Sequence, residues 1–221
     1  MVDRRRIEAG DSDYPVILRD RLGDAAPSCL YAMGNAAILR NCLLGLVCSI
    51  RCPGSVVIKT FDAIRALRDA GVGMIGGFHS PMERECLDIL LRGDQSVILC
   101  AAKGLPGLRL GQGARRAVRE GRLLLISPFY DTVRRTTAAQ AVERNQVVAM
   151  MSKVLLVPFA SPEGKTWANV SAAIERGQLV CTFADSENAA LIAAGVKPMT
   201  AADMARAVTA TAERRNQNSE T

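Results

Sequence analysis

Six short apolar runs alternate with helical patterns, and this alternation constrains the fold more than any other feature of the chain. Each run is continuously apolar, which is typical of strands buried on both faces of a parallel sheet. The predicted strands are Leu43–Cys48, Val72–Gly76, Ser96–Ala101, Leu123–Ser127, Val154–Phe159 and Gln178–Phe183. The predicted helices are Lys59–Ala70, Met82–Leu91, Ala114–Arg119, Thr136–Met151 and Thr166–Arg176. This spacing predicts an α/β protein with a doubly wound, mostly parallel sheet and helices on both faces.

The 221 residues suit one large domain, which the pattern divides into three parts. Residues 1–42 precede the strand–helix series, and we expect them to form an N-terminal extension packed on the core. Residues 43–203 hold the series itself. Residues 204–221 are predicted to form a C-terminal tail whose polar end frays.

Charge and cysteine content indicate the environment of the protein. The formal net charge of +6 and the pI of about 9.1 are mildly basic, so they are compatible with a polyanionic partner without requiring one. The seven cysteines form no C-x-x-C pair and no zinc-binding set, so we expect no metal and a reducing, cytoplasmic location. No apolar run approaches the roughly 20 residues that span a bilayer, so no membrane partner is expected.

The second predicted strand ends in a glycine pair, and a helix start at Pro81 follows. Glycines at a strand end allow a ligand to approach the backbone closely, and a helix N-terminus points unpaired N–H groups at an anion. This loop is therefore a candidate phosphate site. His79 is the only histidine of the chain, and we interpret it as a loop or ligand contact, because no nucleophile can be placed beside it. The candidate contacts are Gly76, Gly77, Phe78, His79 and Ser80.

In an open α/β sheet, ligands bind beyond the carboxyl ends of the strands, where the strand order reverses. Five predicted strand-to-helix loops meet at that edge, and their small residues and donors suit an anion cradle. The Gly-Lys-Thr sequence of the last loop resembles a P-loop, but Phe159 replaces the first glycine, so a P-loop is not expected. The further candidate phosphate contacts are Ser49, Arg51, Lys103, Gly164, Lys165 and Thr166.

Arginine is dense between residues 109 and 144, and its planar fork suits phosphate oxygens. A solvated helix face is the alternative explanation of the same pattern. The residues are Arg109, Arg115, Arg116, Arg119, Arg122, Arg134, Arg135 and Arg144.

Catalytic patterns are absent from the sequence. No Ser-His-Asp, Cys-His or paired-carboxylate set is visible, and Glu83 and Glu163 are better explained as helix N-terminal caps. We therefore predict no catalytic residue, no cofactor and no enzymatic activity.

The loops, in this order, resemble those of the DNA-processing protein A family, also called DprA or Smf, within a wider Rossmann-like group of nucleotide-binding proteins. The resemblance runs from Tyr14-Pro15 to about Asp203. The segments that carry it are 30–35, similar to L-Y-x-x-G-N; 47–51, similar to V-G-S-R; the glycine turn 76–83; the Arg144-Asn145 pair; 161–166, similar to S-G-[ST]-x-x-T; and 186–196, similar to the family's closing motif.

The resemblance implies a Rossmann-like homodimer that binds single-stranded DNA, helps load the RecA recombinase and does not catalyse a reaction. By the motif match, the DNA groove would be lined by Ser49, Arg51, Gly76, Gly77, Arg144, Asn145 and the segment Gly164 to Thr166.

Departures from the family pattern leave alternatives open. Ala141 stands where the family's F-P-x-R-N motif has phenylalanine, and Glu83 stands where it has aspartate. No winged-helix tail is expected after residue 203, so we expect a divergent, single-domain member. The alternatives are a nucleotide-ligand sensor or nucleoside-phosphate hydrolase of the same group, and a scaffold protein with a vestigial pocket.

Overall fold

The computed structural model describes residues 4–217, with side chains to residue 210. The nine strands in this range are β1 Arg4–Glu8, β2 Cys29–Met33, β3 Leu44–Leu46, β4 Met74–Gly76, β5 Val97–Cys100, β6 Leu123–Ser127, β7 Val154–Leu156, β8 Leu179–Thr182 and β9 Lys197–Pro198. The helices are α1 Val16–Leu22, α2 Gly54–Asp69, α3 Pro81–Leu90, α4 Gln112–Arg119, α5 Ala138–Met151, α6 Lys165–Glu175, α7 Ala189–Ala193 and α8 Ala201–Gln217.

All the described strands form a single sheet in the order β1-β2-β6-β5-β4-β3-β7-β8-β9. The pairs from β6 to β9 are parallel, while β1 and β2 add an antiparallel edge. The order runs outward from β3 to β6, and the chain then returns through α5 to β7 on the other side of β3. The predicted α/β fold, with a mostly parallel, doubly wound sheet, is confirmed.

Each face of the sheet is covered by its own helices. In β4, Met74 packs with one apolar cluster that includes residues of α2, α3, α4 and α8. Its neighbour Ile75 packs with the opposite cluster, which includes residues of α1, α5, α6 and α7. Because successive side chains point to opposite faces, both must be apolar, which explains why the core strands are continuous apolar runs.

The N-terminal part of the chain contributes directly to the sheet. Residues 4–8 and 29–33 are strands, and Tyr31 of β2 lies opposite Ser127 of β6. Ile7 is the only buried residue of β1, and the other four residues of this edge strand are charged. The strand therefore has no apolar run. Charged residues are a common protection of sheet edges against wrong pairing. The segment expected to be an N-terminal extension thus contributes two strands to the sheet, with α1 between them in the chain.

Helix α8 crosses the boundary that the sequence suggested at residue 203. Met204 and Val208, four residues apart, lie on one side of the helix and are buried in the cluster that also contains residues of α2. The first part of the expected tail is therefore core structure in this fold. Residues 218–221, the end of that tail, lie outside the described residues.

No helix within residues 4–217 combines the length and apolar character that a membrane span requires.

Truncation of Met204 tests whether α8 belongs to the core. Met204 is 0% exposed, so Met204→Ala should lower the free energy of unfolding by about 2–5 kcal/mol through lost burial and a cavity. Urea unfolding followed by circular dichroism measures the change. The exposed Thr209, on the same helix, supplies the control, and Thr209→Ala should stay within about 0.5 kcal/mol of the parent chain. Equal stability of the two variants would show that α8 does not pack on the sheet.

Candidate functional site

The strand order reverses between β3 and β7, and the carboxyl edge of the sheet carries the loops predicted to bind phosphate. Beside this point, the loops after β4 and β5 and the start of α4 surround a cavity of about 560 Å³. A cavity of this size is in the range of small-molecule pockets. Its walls combine aliphatic side chains, such as Leu87, Leu99 and Leu108, with a group of cations.

The charge of the cavity is strongly unbalanced. Asp88 is the one carboxylate among its lining residues, against four cations, which are Arg84, Lys103, Arg109 and Arg144. The exposed His79 also lies at this cavity. Such a concentration of one charge raises the local concentration of anions.

Arg144 of α5 is the most constrained of these cations, being only 5% exposed. Its Nη1 donates a hydrogen bond to the Cys100 carbonyl oxygen at the end of β5, 3.2 Å away. Its Nε is buried without a partner, and among residues 4–217 no carboxylate pairs with it. Burial of an unpaired charge is costly. A ligand anion at this cavity would supply the missing counter-charge.

Gly77 makes room for the Arg144 side chain. A Cβ atom at Gly77 would lie 1.5 Å from Arg144 Nη1 and 2.0 Å from its Cζ. Neighbouring Gly76 is less confined, because a Cβ there would lie 3.0 Å from the ring of Phe78. Phe78 itself has a positive φ of 47°, which is uncommon for a bulky residue. As the side chains are packed around this turn, Gly77 leaves the space for the Arg144 guanidinium, and a side chain at Gly76 would crowd the Phe78 ring.

The N-terminus of α3 is capped by the side chains of Ser80 and Glu83. The backbone N–H groups of His79 and Ser80 both donate to Glu83 Oε2 at 3.0 Å, and the Glu83 N–H donates to Ser80 Oγ at 3.2 Å. This reciprocal capping box occupies the amides that the sequence pattern suggested for a phosphate. The positive charge around this loop lies on side chains such as Arg84 and Arg144.

A second group of predicted residues lies at the strand-order reversal. The Ser161 N–H donates to Ser49 Oγ at 3.2 Å, which joins the loops after β3 and β7. Gly164 is the N-cap of α6, Lys165 is exposed and Thr166 is buried. None of these residues lines the cavity beside Arg144.

The structure thus divides the predicted contacts. The cavity collects Gly77, Phe78, His79, Lys103 and Arg144. The residues that do not line it are Gly76 and Ser80 in the same turn, Asn145 next to Arg144, and the group at the reversal, which comprises Ser49, the exposed Arg51, Gly164, Lys165 and Thr166.

The dense arginines do not form one patch. Arg116 and Arg122 bind the Glu120 carboxylate at 2.6 and 2.5 Å, and these hydrogen bonds hold the pKa of Glu120 below its ordinary value. Arg122 also donates to the Gly93 carbonyl oxygen. Of the eight, only Arg109 and Arg144 line the cavity.

Sequence reasoning missed Arg84, which lines the cavity and donates from Nε to the His79 carbonyl oxygen at 2.9 Å. Its position in the first turn of the helix after the glycine pair was the available signal.

Fold and site together define a Rossmann-like α/β protein with a cationic cavity at the carboxyl edge of its sheet. The sequence profile of the family described as DNA recombination-mediator protein A matches residues 5–217. This chain belongs to that family, as its loops predicted, and is a protein of DNA processing and recombination.

Solved structures share this fold. DNA processing protein A from Streptococcus pneumoniae superposes with a TM-score of 0.77 at 19% identity, over 93% of this chain and 73% of that one. DNA processing protein A from Helicobacter pylori, solved to reveal its single-stranded DNA binding mode, gives 0.74 at 14% identity, over 95% and 97%. The molybdenum cofactor binding protein of Rippkaea orientalis gives 0.55 at 9% identity, over 78% and 98%. No curated protein sequence matches this chain.

Substitution of Gly77 tests its contact with Arg144. Gly77→Ala should lower the free energy of unfolding by about 1–3 kcal/mol, because the new methyl group overlaps the guanidinium. In an Arg144→Ala background the same substitution should cost clearly less, since the overlapping group is gone. Urea unfolding of the four chains in this cycle measures both effects.

Gly113, which lines the same cavity, provides the control. A Cβ atom there meets nothing closer than 3.9 Å, so Gly113→Ala in helix α4 should be neutral or stabilising by up to about 1 kcal/mol. Equal costs of Gly77→Ala in both backgrounds would contradict the proposed contact.

Proposed function

We propose that this protein binds single-stranded DNA along the carboxyl edge of its sheet, with a backbone phosphate at the cavity beside Arg144. The observation that carries the proposal is the buried guanidinium, which lies at the cavity with one protein hydrogen bond and without a carboxylate partner in the described chain. A phosphate oxygen is a suitable acceptor, because a guanidinium forms strong, charge-assisted hydrogen bonds with phosphate.

The other cations of the edge give this binding an extended track. Lys103 and Arg109 lie at the same cavity, while Arg51 and Lys165 are exposed in the loops at the strand-order reversal. Single-stranded nucleic acids are commonly held by a basic groove that follows the backbone. The fold that this chain shares with the Helicobacter pylori protein, whose binding of single-stranded DNA has been described, supports the same ligand.

Three further features belong to this proposal on the strength of the family resemblance. The protein acts as a homodimer, it delivers DNA to the RecA recombinase, and it works by binding without catalysis. A cytoplasmic location fits the seven cysteines, which are all free thiols.

A mononucleotide is the second candidate ligand. The cavity volume of about 560 Å³ and its aliphatic walls would accommodate one base with its phosphate near Arg144.

Salt dependence distinguishes the cavity cations from other surface arginines. Each phosphate contact to single-stranded nucleic acid contributes about 0.7 to the slope of log affinity against log salt concentration. Lys103→Ala and Arg109→Ala should each weaken binding of an oligothymidylate and reduce that slope by about 0.7. Fluorescence anisotropy over a salt titration measures both quantities.

Arg119 of α4 gives a control with the same loss of charge, since it is exposed and does not line the cavity. Arg119→Ala should keep the slope of the parent chain. An equal loss in all three variants would indicate general electrostatic attraction, and absence of binding at low salt would refute the proposal.

Thermal unfolding with nucleotides tests the second candidate. A mononucleotide at 100 times its dissociation constant stabilises the folded protein by about 2.7 kcal/mol, which raises the melting temperature. If the cavity serves DNA alone, nucleoside mono-, di- and triphosphates should leave the melting temperature unchanged, while an oligothymidylate raises it. A rise with a mononucleotide that Arg109→Ala abolishes would favour the small-ligand function.

A further inference from the structure

An exposed aromatic ring stands at the carboxyl edge of the sheet. Tyr130 follows β6 and is 61% exposed. Four large apolar side chains are exposed in the described part of the chain, and Tyr130 is the one aromatic residue among them. Ile50, another of the four, also lies at this edge, after β3. Single exposed apolar side chains are common, so the position of Tyr130, at the edge that carries the cations, is the informative feature.

The ring of Tyr130 packs against a second tyrosine. Its centroid lies 6.0 Å from that of Tyr31, with 58° between the planes, which is a favourable tilted arrangement. Tyr31 belongs to β2 and pairs with Ser127 near the carboxyl end of β6. A ring supported in this way loses little conformational freedom when a ligand stacks on it.

The backbone beneath Tyr130 is anchored to the loop that carries Lys103. A Cβ atom at Gly104 would lie 2.7 Å from the Tyr130 carbonyl oxygen, so the two loops touch. The Gly104 N–H donates to the Val133 carbonyl oxygen, and Ser127 Oγ donates to that of Lys103, both at 2.9 Å. The backbone of Tyr130 therefore lies close to the loop that lines the cavity.

The cavity itself offers little aromatic surface. Its lining contains the exposed imidazole of His79 and the ring of Phe78, which is buried and packed on Gly76. A base of a DNA strand whose phosphate lies at Lys103 would thus find a larger accessible aromatic surface at Tyr130 than inside the cavity.

We propose that Tyr130 is a stacking platform for a base of single-stranded DNA, supported by Tyr31 and adjacent to the phosphate contact at Lys103. The inference rests on the proposed DNA-binding function. It adds a contact with a base, whereas the cations contact only the phosphate backbone. Stacking on aromatic side chains tolerates any base, so the platform adds affinity without sequence preference.

The test compares two strands of equal length, an oligothymidylate and its fully abasic counterpart, by anisotropy at constant salt. Tyr130→Ala should weaken binding of the oligothymidylate about 5- to 150-fold and leave binding of the abasic strand unchanged. Tyr130→Phe, which keeps the ring, should bind both strands as the parent chain does. Ile58→Ala, which removes another exposed apolar side chain, serves as the control and should change neither affinity.

Each outcome has one meaning. If Tyr130→Ala binds the oligothymidylate as tightly as the parent chain does, the DNA-binding function stands and the stacking platform is refuted. An equal loss on both strands also overturns it, because the ring would then act through the loop structure; circular dichroism and urea unfolding of the variant identify that case. Failure of the parent chain to bind either strand refutes the DNA-binding function and the platform with it.

Discussion

Burial of the parallel strands on both faces is the constraint on which the rest of this structure depends. Strands with apolar side chains on each side must be covered by two helical layers, which separate into the clusters on either face of β3 to β8. Polar chemistry is thereby confined to the ends of the strands. Because the parallel strands all point one way, their loops converge on one edge, and the reversal between β3 and β7 opens that edge for a ligand.

Helix α5 links this architecture to the site. It carries the chain from β6 to β7 across the face of β5, β4 and β3, and so places Arg144 against the carboxyl end of β5 and the turn after β4. A buried guanidinium without a carboxylate partner lowers the stability of the folded chain, so folding alone gives no reason to retain it. Its position at the cavity supports the proposed phosphate contact, and Gly77 leaves the space that its guanidinium occupies.

The backbone amides of the turn before α3 are engaged differently from those of the common glycine-rich phosphate loops. In those loops backbone N–H groups at a helix N-terminus bind the phosphate. Here the Glu83 carboxylate accepts the amides of His79 and Ser80, so side chains must supply the positive charge. Side-chain cations spread along an edge suit a long polyanion better than a single phosphate held by one turn, which agrees with membership of a DNA-recombination family.

The sequence by itself determined the six core strands, the helices between them and the loops at one edge, because a strand buried on both faces leaves a continuous apolar run that glycine and helix caps delimit. Only the tertiary structure decided the rest. Strand β1 can be recognised only from its pairing with β2, because Ile7 is its one buried residue. Helix α8 belongs to the core because Met204 and Val208 are buried. Arg116, Arg122 and Arg144 look alike in sequence, yet two bind Glu120 and one lies buried at the cavity. The physical reason is that an arginine's role depends on what lies across from it, and residues distant in sequence supply that surface.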